Sequence, residues 1–238
     1  MTTRPRPSPL SSLRDYLKEI IYGGNDGIVT TFAIVAGFAG ANAEGAAQIG
    51  GLAVLIFGLA NLFADAVSMG LGEFLSSRST QDLYRVRRAQ HIQRLTVAPE
   101  DEIAMMRELL CARGLPGTDA TEVANRLSHA PQLMAEILLC HKHGVHPPED
   151  DNPALNGIVT FLSFVAFGCL PLLPYFLEEA SERSLYWSAF ATLSALTALG
   201  LLRWLATGTR LRLAVLETVG VGSLCAGVAY AVGWLVGG

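Results

Sequence analysis

The chain has 238 residues, 51% of them hydrophobic and only 16% charged, with a mean hydropathy of +0.38. That balance excludes an ordinary soluble domain, because the apolar residues come in long runs. The net charge of -4 says little by itself, whereas its distribution is informative, and no nucleic-acid partner is expected.

The first residues, MTTRPRPSPLSSLRDYLKE, are basic and Pro-rich. They lack a short apolar core followed by a small-residue cleavage site, so no cleavable signal peptide is expected. Residues 1–13 are expected to be disordered. Five apolar spans follow, at roughly Ile20–Ala41, Ile49–Gly72, Leu155–Leu177, Leu185–Ala206 and Leu213–Val236. Each suits a helix of about 20 residues, enough for a hydrocarbon core of about 30 Å. The expected fold is an all-α membrane protein of five transmembrane helices, with a cytoplasmic helical insert between helices 2 and 3. The domains are then 14–78 (helices 1 and 2), 79–152 (the insert) and 153–238 (helices 3 to 5). In this arrangement 16 of the 17 basic residues fall on one side, and only Arg183 falls on the other. The positive-inside rule then puts the N-terminus in the cytoplasm and the C-terminus outside.

Between spans two and three lie about eighty polar residues, too many for a plain loop. Ser79–Leu95 reads as a polar helix continuing span two. Pro99 starts a second helix, with Glu100, Asp101 and Glu102 favourable in its first turn and Gly114 at its end. Asp119 and Glu122 resemble a capping pair for a third, ending near His129. Pro131 starts a fourth, ended by Gly144, and His146–Pro153 is a turn-rich linker. Pro171 and Pro174 should kink or end span three. Gly220 and Gly227, seven residues apart in span five, suggest a close-packing seam. The four cysteines, Cys111, Cys140, Cys169 and Cys225, have no metal-ligand spacing and read as free packing residues.

Two aspartates carry the chemical signal. Asp65 interrupts span two, and Asp26 lies in the GGND start of span one. A charge at the bilayer centre costs about 2.5–3.5 kcal/mol on the mild insertion scales, so such groups pair, line a wet path or bind an ion. On span two, Asn61, Asp65, Ser68, Met69, Gly72 and Ser76 fall within an arc of about 100°. Helix–helix hydrogen bonding explains Asn61 and Ser68 but not a mid-span carboxylate. On span one, Glu19 and Asp26 share a face two turns apart, and Gly23, Gly24 and Gly27 surround Asp26. Those glycines permit the close approach of a second helix, or a broken helix with free carbonyls. Glu73, Glu217 and Arg203 read as flanking charges near helix ends. Carboxylates with a thioether suit Fe2+ or Mn2+, with Co2+ and Zn2+ as alternatives, better than Mg2+ or Ca2+. Because a carboxylate must lose its proton to bind metal, metal and proton compete, which is a basis for exchange.

Glu19–Ala41, Gly58–Ser79 and Ala154–Tyr175, with the GGNDG and ADAVSMGLGE motifs, resemble the vacuolar iron transporter family, which includes nodulin-like proteins. The resemblance extends over residues 14–236 and is read as that of a bacterial-type member. It implies a homodimer in the lipid bilayer that moves Fe2+, and often Mn2+, out of the cytoplasm in exchange for protons. The metal is then the transported substrate, with no permanently bound cofactor. The family's path carboxylates match Glu19 and Asp26, and its methionine matches Met69. Plant-like members carry a carboxylate at the position of Asn61; here Asp65, one turn nearer the methionine, takes that role. In such members the insert collects metal with paired glutamates and a Met-Met pair. Here its first helix is basic, with Arg85, Arg87, Arg88 and Arg94. Glu102 matches a family glutamate, Met105 stands where another is expected, and Leu138 and Leu139 replace the methionines. His91, Glu102 and Met105, with Cys140, His141 and His143, form an alternative ligand set, against a domain that has lost most of its metal ligands. The cationic helix has a second use, contact with anionic lipid.

Two other classes compete. An intramembrane aspartyl enzyme would use the aspartates as an acid–base pair, but the chain lacks a GxGD motif and leaves Met69 without a role. A membrane scaffold with a partner-binding insert leaves the span-two stripe unexplained. The transporter reading is preferred, with no enzyme activity expected. The Arg-rich, Lys-poor composition points to a bacterial inner membrane.

Overall fold

The computed structural model describes residues 16–41, 46–142, 144, 152–177 and 182–237. The segment 1–13, His143 and linker residues 146–151 lie outside the described residues. All regular structure among the described residues is helical. The chain divides into two compact units, residues Met1–Phe74 with Ala154–Gly238, and Leu75–Pro153.

The first unit begins with α1 (Leu17–Gly40) and continues into α2 (Ala46–Val97). Helix α2 has 52 residues without a break. At 1.5 Å per residue that is about 78 Å, more than twice the hydrocarbon thickness, so its polar second half must leave the bilayer. After the insert come α6 (Pro153–Gly168), a 3-10 turn (Leu170–Leu172), α7 (Leu173–Leu177), α8 (Glu182–Thr207) and α9 (Leu211–Gly237).

The expectation of five spans is corrected. Among the described residues, four helices are long and apolar enough to cross a membrane: Gly51–Val97, Pro153–Leu177, Arg183–Thr207 and Leu211–Gly237. Helix α1 is long enough, at 24 residues, but is not among them. Gly23, Gly24, Asn25, Asp26 and Gly27 dilute its apolar content, with Lys18 and Glu19 adding charge at its start. The N-inside, C-outside orientation required an odd count and loses that support.

Helix α1 is enclosed by protein instead. Ile28 packs with Ala195, Leu196 and Leu199 of α8, and Val35 packs with Val54 of α2 and Leu172. Gly37 meets the backbone of α9 at Gly233. Gly220 and Gly227 make no tight seam within the chain, because a Cβ added at either would meet nothing within 4 Å; Gly222 packs on Leu196 instead. Heptad spacing identifies a shared face but not which face is turned inward. The proline break in the third apolar segment is confirmed. The α-helix stops at Gly168, and Ser188 Oγ donates to the Pro171 carbonyl at 2.6 Å. That bond satisfies a backbone acceptor that would be costly to leave bare in hydrocarbon.

The second unit joins the end of α2 to α3 (Pro99–Ala112), α4 (Gly117–Ser128) and α5 (Pro131–Lys142). Leu95, Met106, Ala124, Met134 and Leu138 form its core. Gly114 and Gly144 end their helices with φ of 95° and 64°, which favours glycine. Helix α4 starts two residues earlier than the Asp119–Glu122 pair suggests. Pro116 precedes it with φ -56° and ψ 144°, and Asp119 sits inside the first turn without capping.

Candidate metal path between α1 and α2

The GGNDG stretch positions Asp26 through what its glycines lack. A Cβ on Gly23 would lie 2.6 Å from the Thr160 carbonyl oxygen, and one on Gly27 would overlap the Phe164 carbonyl. Only bare Cα atoms let α6 lie this close. At 100° per residue, Asp26 is rotated off that seam. It is half-buried and lies within electrostatic reach of Asp65 on α2. Thr30 Oγ1 donates to the Asp26 backbone carbonyl at 2.8 Å.

On α2, Asn61 Nδ2 donates to Asp65 Oδ2 at 2.6 Å. The i,i+4 spacing makes this bond local, and it restricts the carboxylate to one orientation. Met69, one turn further, packs at the edge of a cluster of Leu62, Ala66 and Phe164. Ser68, Gly72 and Ser76 are exposed. The structure therefore joins Asn61 to Asp65, with Met69 one turn further along α2, and places Asp26 of α1 within electrostatic reach of that group. Glu19 is buried at 5% exposure, two turns closer to the start of α1. A cleft of about 900 Å³ between α1, α2 and α9 reaches this group. Its walls include Gly37, Phe38, Phe57 and Val232, and Asn61 is the polar side chain that lines it.

One ion pair on this seam was not anticipated. Lys18 Nζ lies 3.0 Å from Glu73 Oε1. Glu73 reads from the sequence as a flanking charge, and only the pairing of α1 with α2 shows its partner. Each helix advances eight residues between this pair and the aspartates, from Lys18 to Asp26 and from Glu73 back to Asp65.

The insert residues are arranged differently from a ligand set. His91 Nδ1 lies 2.7 Å from Glu102 Oε2, with side-chain exposures of 6% and 1%. Arg94 Nη1 is 3.8 Å from Glu102 Oε1. Met105 packs against the hydrophobic core. His141 Nδ1 is 3.3 Å from Arg113 Nη2 instead. Leu138 and Leu139 are fully buried. No group of three or more His, Cys, Asp or Glu side chains arranged for a metal occurs among the described residues.

The VIT family pattern matches residues 17–234. The chain belongs to the VIT family. It is similar to "Vacuolar iron transporter 2" of Oryza sativa subsp. japonica, 31% identical over 91% of this chain and 85% of the relative. "Vacuolar iron transporter 1" of Tulipa gesneriana is 30% identical over the same shares of the two chains. "Vacuolar iron transporter" of Toxoplasma gondii is 34% identical over 66% of this chain and 51% of its own. These relatives are plant and protozoan proteins, so they do not carry the bacterial-type assignment. As a VIT family member the protein is an integral membrane transporter and not an enzyme, which removes the aspartyl-enzyme reading.

Proposed function

We propose that this VIT family protein exports Fe2+, Mn2+ or both from the cytoplasm in exchange for protons. The supporting observation is that Asp26 of α1 lies within electrostatic reach of Asp65 on the neighbouring α2, with Met69 one turn further along α2. Two carboxylates and a thioether form a mixed donor set suited to borderline divalent ions. The ion is substrate, and no resident cofactor is required. Asp26 and Asp65 bind it, Asn61 orients Asp65, Met69 supplies softness, and Glu19 extends the carboxylate face of α1. Protonation of the same carboxylates releases metal, which couples the two fluxes.

The acting unit in this reading is a homodimer. Asp65 and Met69 are only half-buried by their own chain, and Ser68, Gly72 and Ser76 are exposed. A second copy of α2 gives this polar strip its missing wall, where lipid would leave it poorly solvated. Residues 79–152 form a cytoplasmic domain that binds metal weakly, because Glu102 is already engaged by His91 and Arg94. The predominance of Arg over Lys supports a bacterial inner membrane as the location.

Proteoliposome uptake assays with Fe2+, Mn2+, Co2+ and Zn2+, with and without a pH gradient, test this reading. The expected result is protein-dependent uptake of Fe2+ or Mn2+ driven by an opposing proton gradient. Absence of uptake for all four ions would refute it.

A further inference from the structure

We propose that Glu73 is the carboxylate that captures the divalent ion at one end of the path, and that Lys18 is its tethered competitor. The inference rests on the transport reading above and assigns roles to two residues outside it.

Lys18 Nζ sits 3.0 Å from Glu73 Oε1, with side-chain exposures of 73% and 12%. The ammonium thus reaches from solvent over a carboxylate that is itself mostly enclosed. Glu73 lies four residues beyond Met69, which lies four beyond Asp65. Carboxylate, thioether and carboxylate therefore recur at intervals of one turn, about 6 Å of rise each. Lys18 and Asp26 keep the same eight-residue interval on α1, so the ion pair and the aspartates lie on one seam.

A mostly enclosed carboxylate is costly without a counter-charge. Lys18 supplies one, but from a flexible four-carbon stem whose exposed ion pair is easily displaced. A divalent ion carries twice the charge and can coordinate the oxygens directly. The ammonium cannot follow it, because it is anchored to α1. When the ion moves on to Met69 and Asp65, Lys18 returns to Glu73. Its charge then opposes the ion's return. Lys18 weakens capture and favours onward movement, and Glu73 strengthens capture, so their removal has opposite effects on KM.

The test uses full-length protein in anaerobic proteoliposomes, with initial Fe2+ uptake measured against Fe2+ concentration. Lys18→Gln is expected to lower KM about threefold to fivefold, the fold-change matching an exposed ion pair. Glu73→Gln should raise KM by a similar factor. The double variant should behave as Glu73→Gln alone, and Lys18→Arg should retain the wild-type KM. A purely structural ion pair would move both single variants in the same direction. Wild-type or raised KM in Lys18→Gln overturns the proposal, as does an undiminished effect of Lys18→Gln in the Glu73→Gln background. If Glu73→Gln does not fold, the comparison of Lys18→Gln with Lys18→Arg decides alone. An inactive wild type sinks the transport reading and this one together, whereas an active wild type matched by Lys18→Gln sinks only this one.

Discussion

Lys18 of α1 pairs with Glu73 of α2 at 3.0 Å, and eight residues along each helix from that pair Asp26 lies within electrostatic reach of Asp65. Farther along the two helices, the rings of Phe38 and Phe57 lie 6.1 Å apart. The seam therefore runs from an ion pair, through two carboxylates, to an aromatic contact. Polarity falls along it in one direction.

Asp65→Asn should abolish or strongly reduce metal uptake while leaving the protein folded. The change preserves volume and removes the charge that Asn61 orients at 2.6 Å. Uptake together with size-exclusion chromatography checks it. Wild-type rates from well-folded Asp65→Asn protein would remove Asp65 from the mechanism.

Asn61→Ala should weaken transport by about tenfold, the equivalent of one hydrogen bond to a charged group. The carboxylate remains but loses its fixed orientation. A loss as deep as that of Asp65→Asn would mean that Asn61 contacts the ion itself.

Uptake should fall as the metal-loading side is acidified and rise when the opposite side is acidified. The reason is that a protonated carboxylate cannot hold metal. Flux measured at fixed metal concentration across imposed pH gradients reads this directly. Indifference to the gradient would point to a uniporter.

Gly27→Ala should destabilise the membrane unit by about 1–3 kcal/mol, since the added methyl overlaps the Phe164 carbonyl of α6. Thermal loss of monodisperse protein in detergent provides the measurement. Gly220→Ala is the control, because nothing lies within 4 Å of its added Cβ.

His91→Ala should destabilise the second unit by about 3–5 kcal/mol, because it leaves the Glu102 carboxylate buried without its nearest partner. Limited proteolysis of full-length protein would show earlier cleavage within residues 75–153. Anaerobic calorimetry on the wild-type insert should show weak Fe2+ binding. Two or more tightly bound ions per chain would contradict the reading of this unit.

Local order was readable from residue spacing. The α2 stripe, the i,i+4 relation of Asn61 to Asp65, the helix starts at Pro99 and Pro131, and the break near Pro171 follow from backbone geometry within a few turns. The count of spans was misjudged, because the polar and glycine residues at the start of α1 leave it short of the apolar content a span needs, and its packing against α2 and α8 appears only in the fold. The partner of Glu102 was not readable, because it required α3 to fold back after Ala98 and bring a residue eleven positions away onto His91.

By itself, the sequence determined a helical membrane protein with membrane-depth carboxylates and a polar insert, since periodicity and composition act locally. The tertiary structure decided that Asp26 comes within electrostatic reach of Asp65, that Lys18 covers Glu73, and that Gly23 and Gly27 rather than Gly220 and Gly227 form the tight seam. Those outcomes depend on the register between separate helices. That register is set by where bare Cα atoms allow backbones to touch, a property of two surfaces together that neither segment encodes alone.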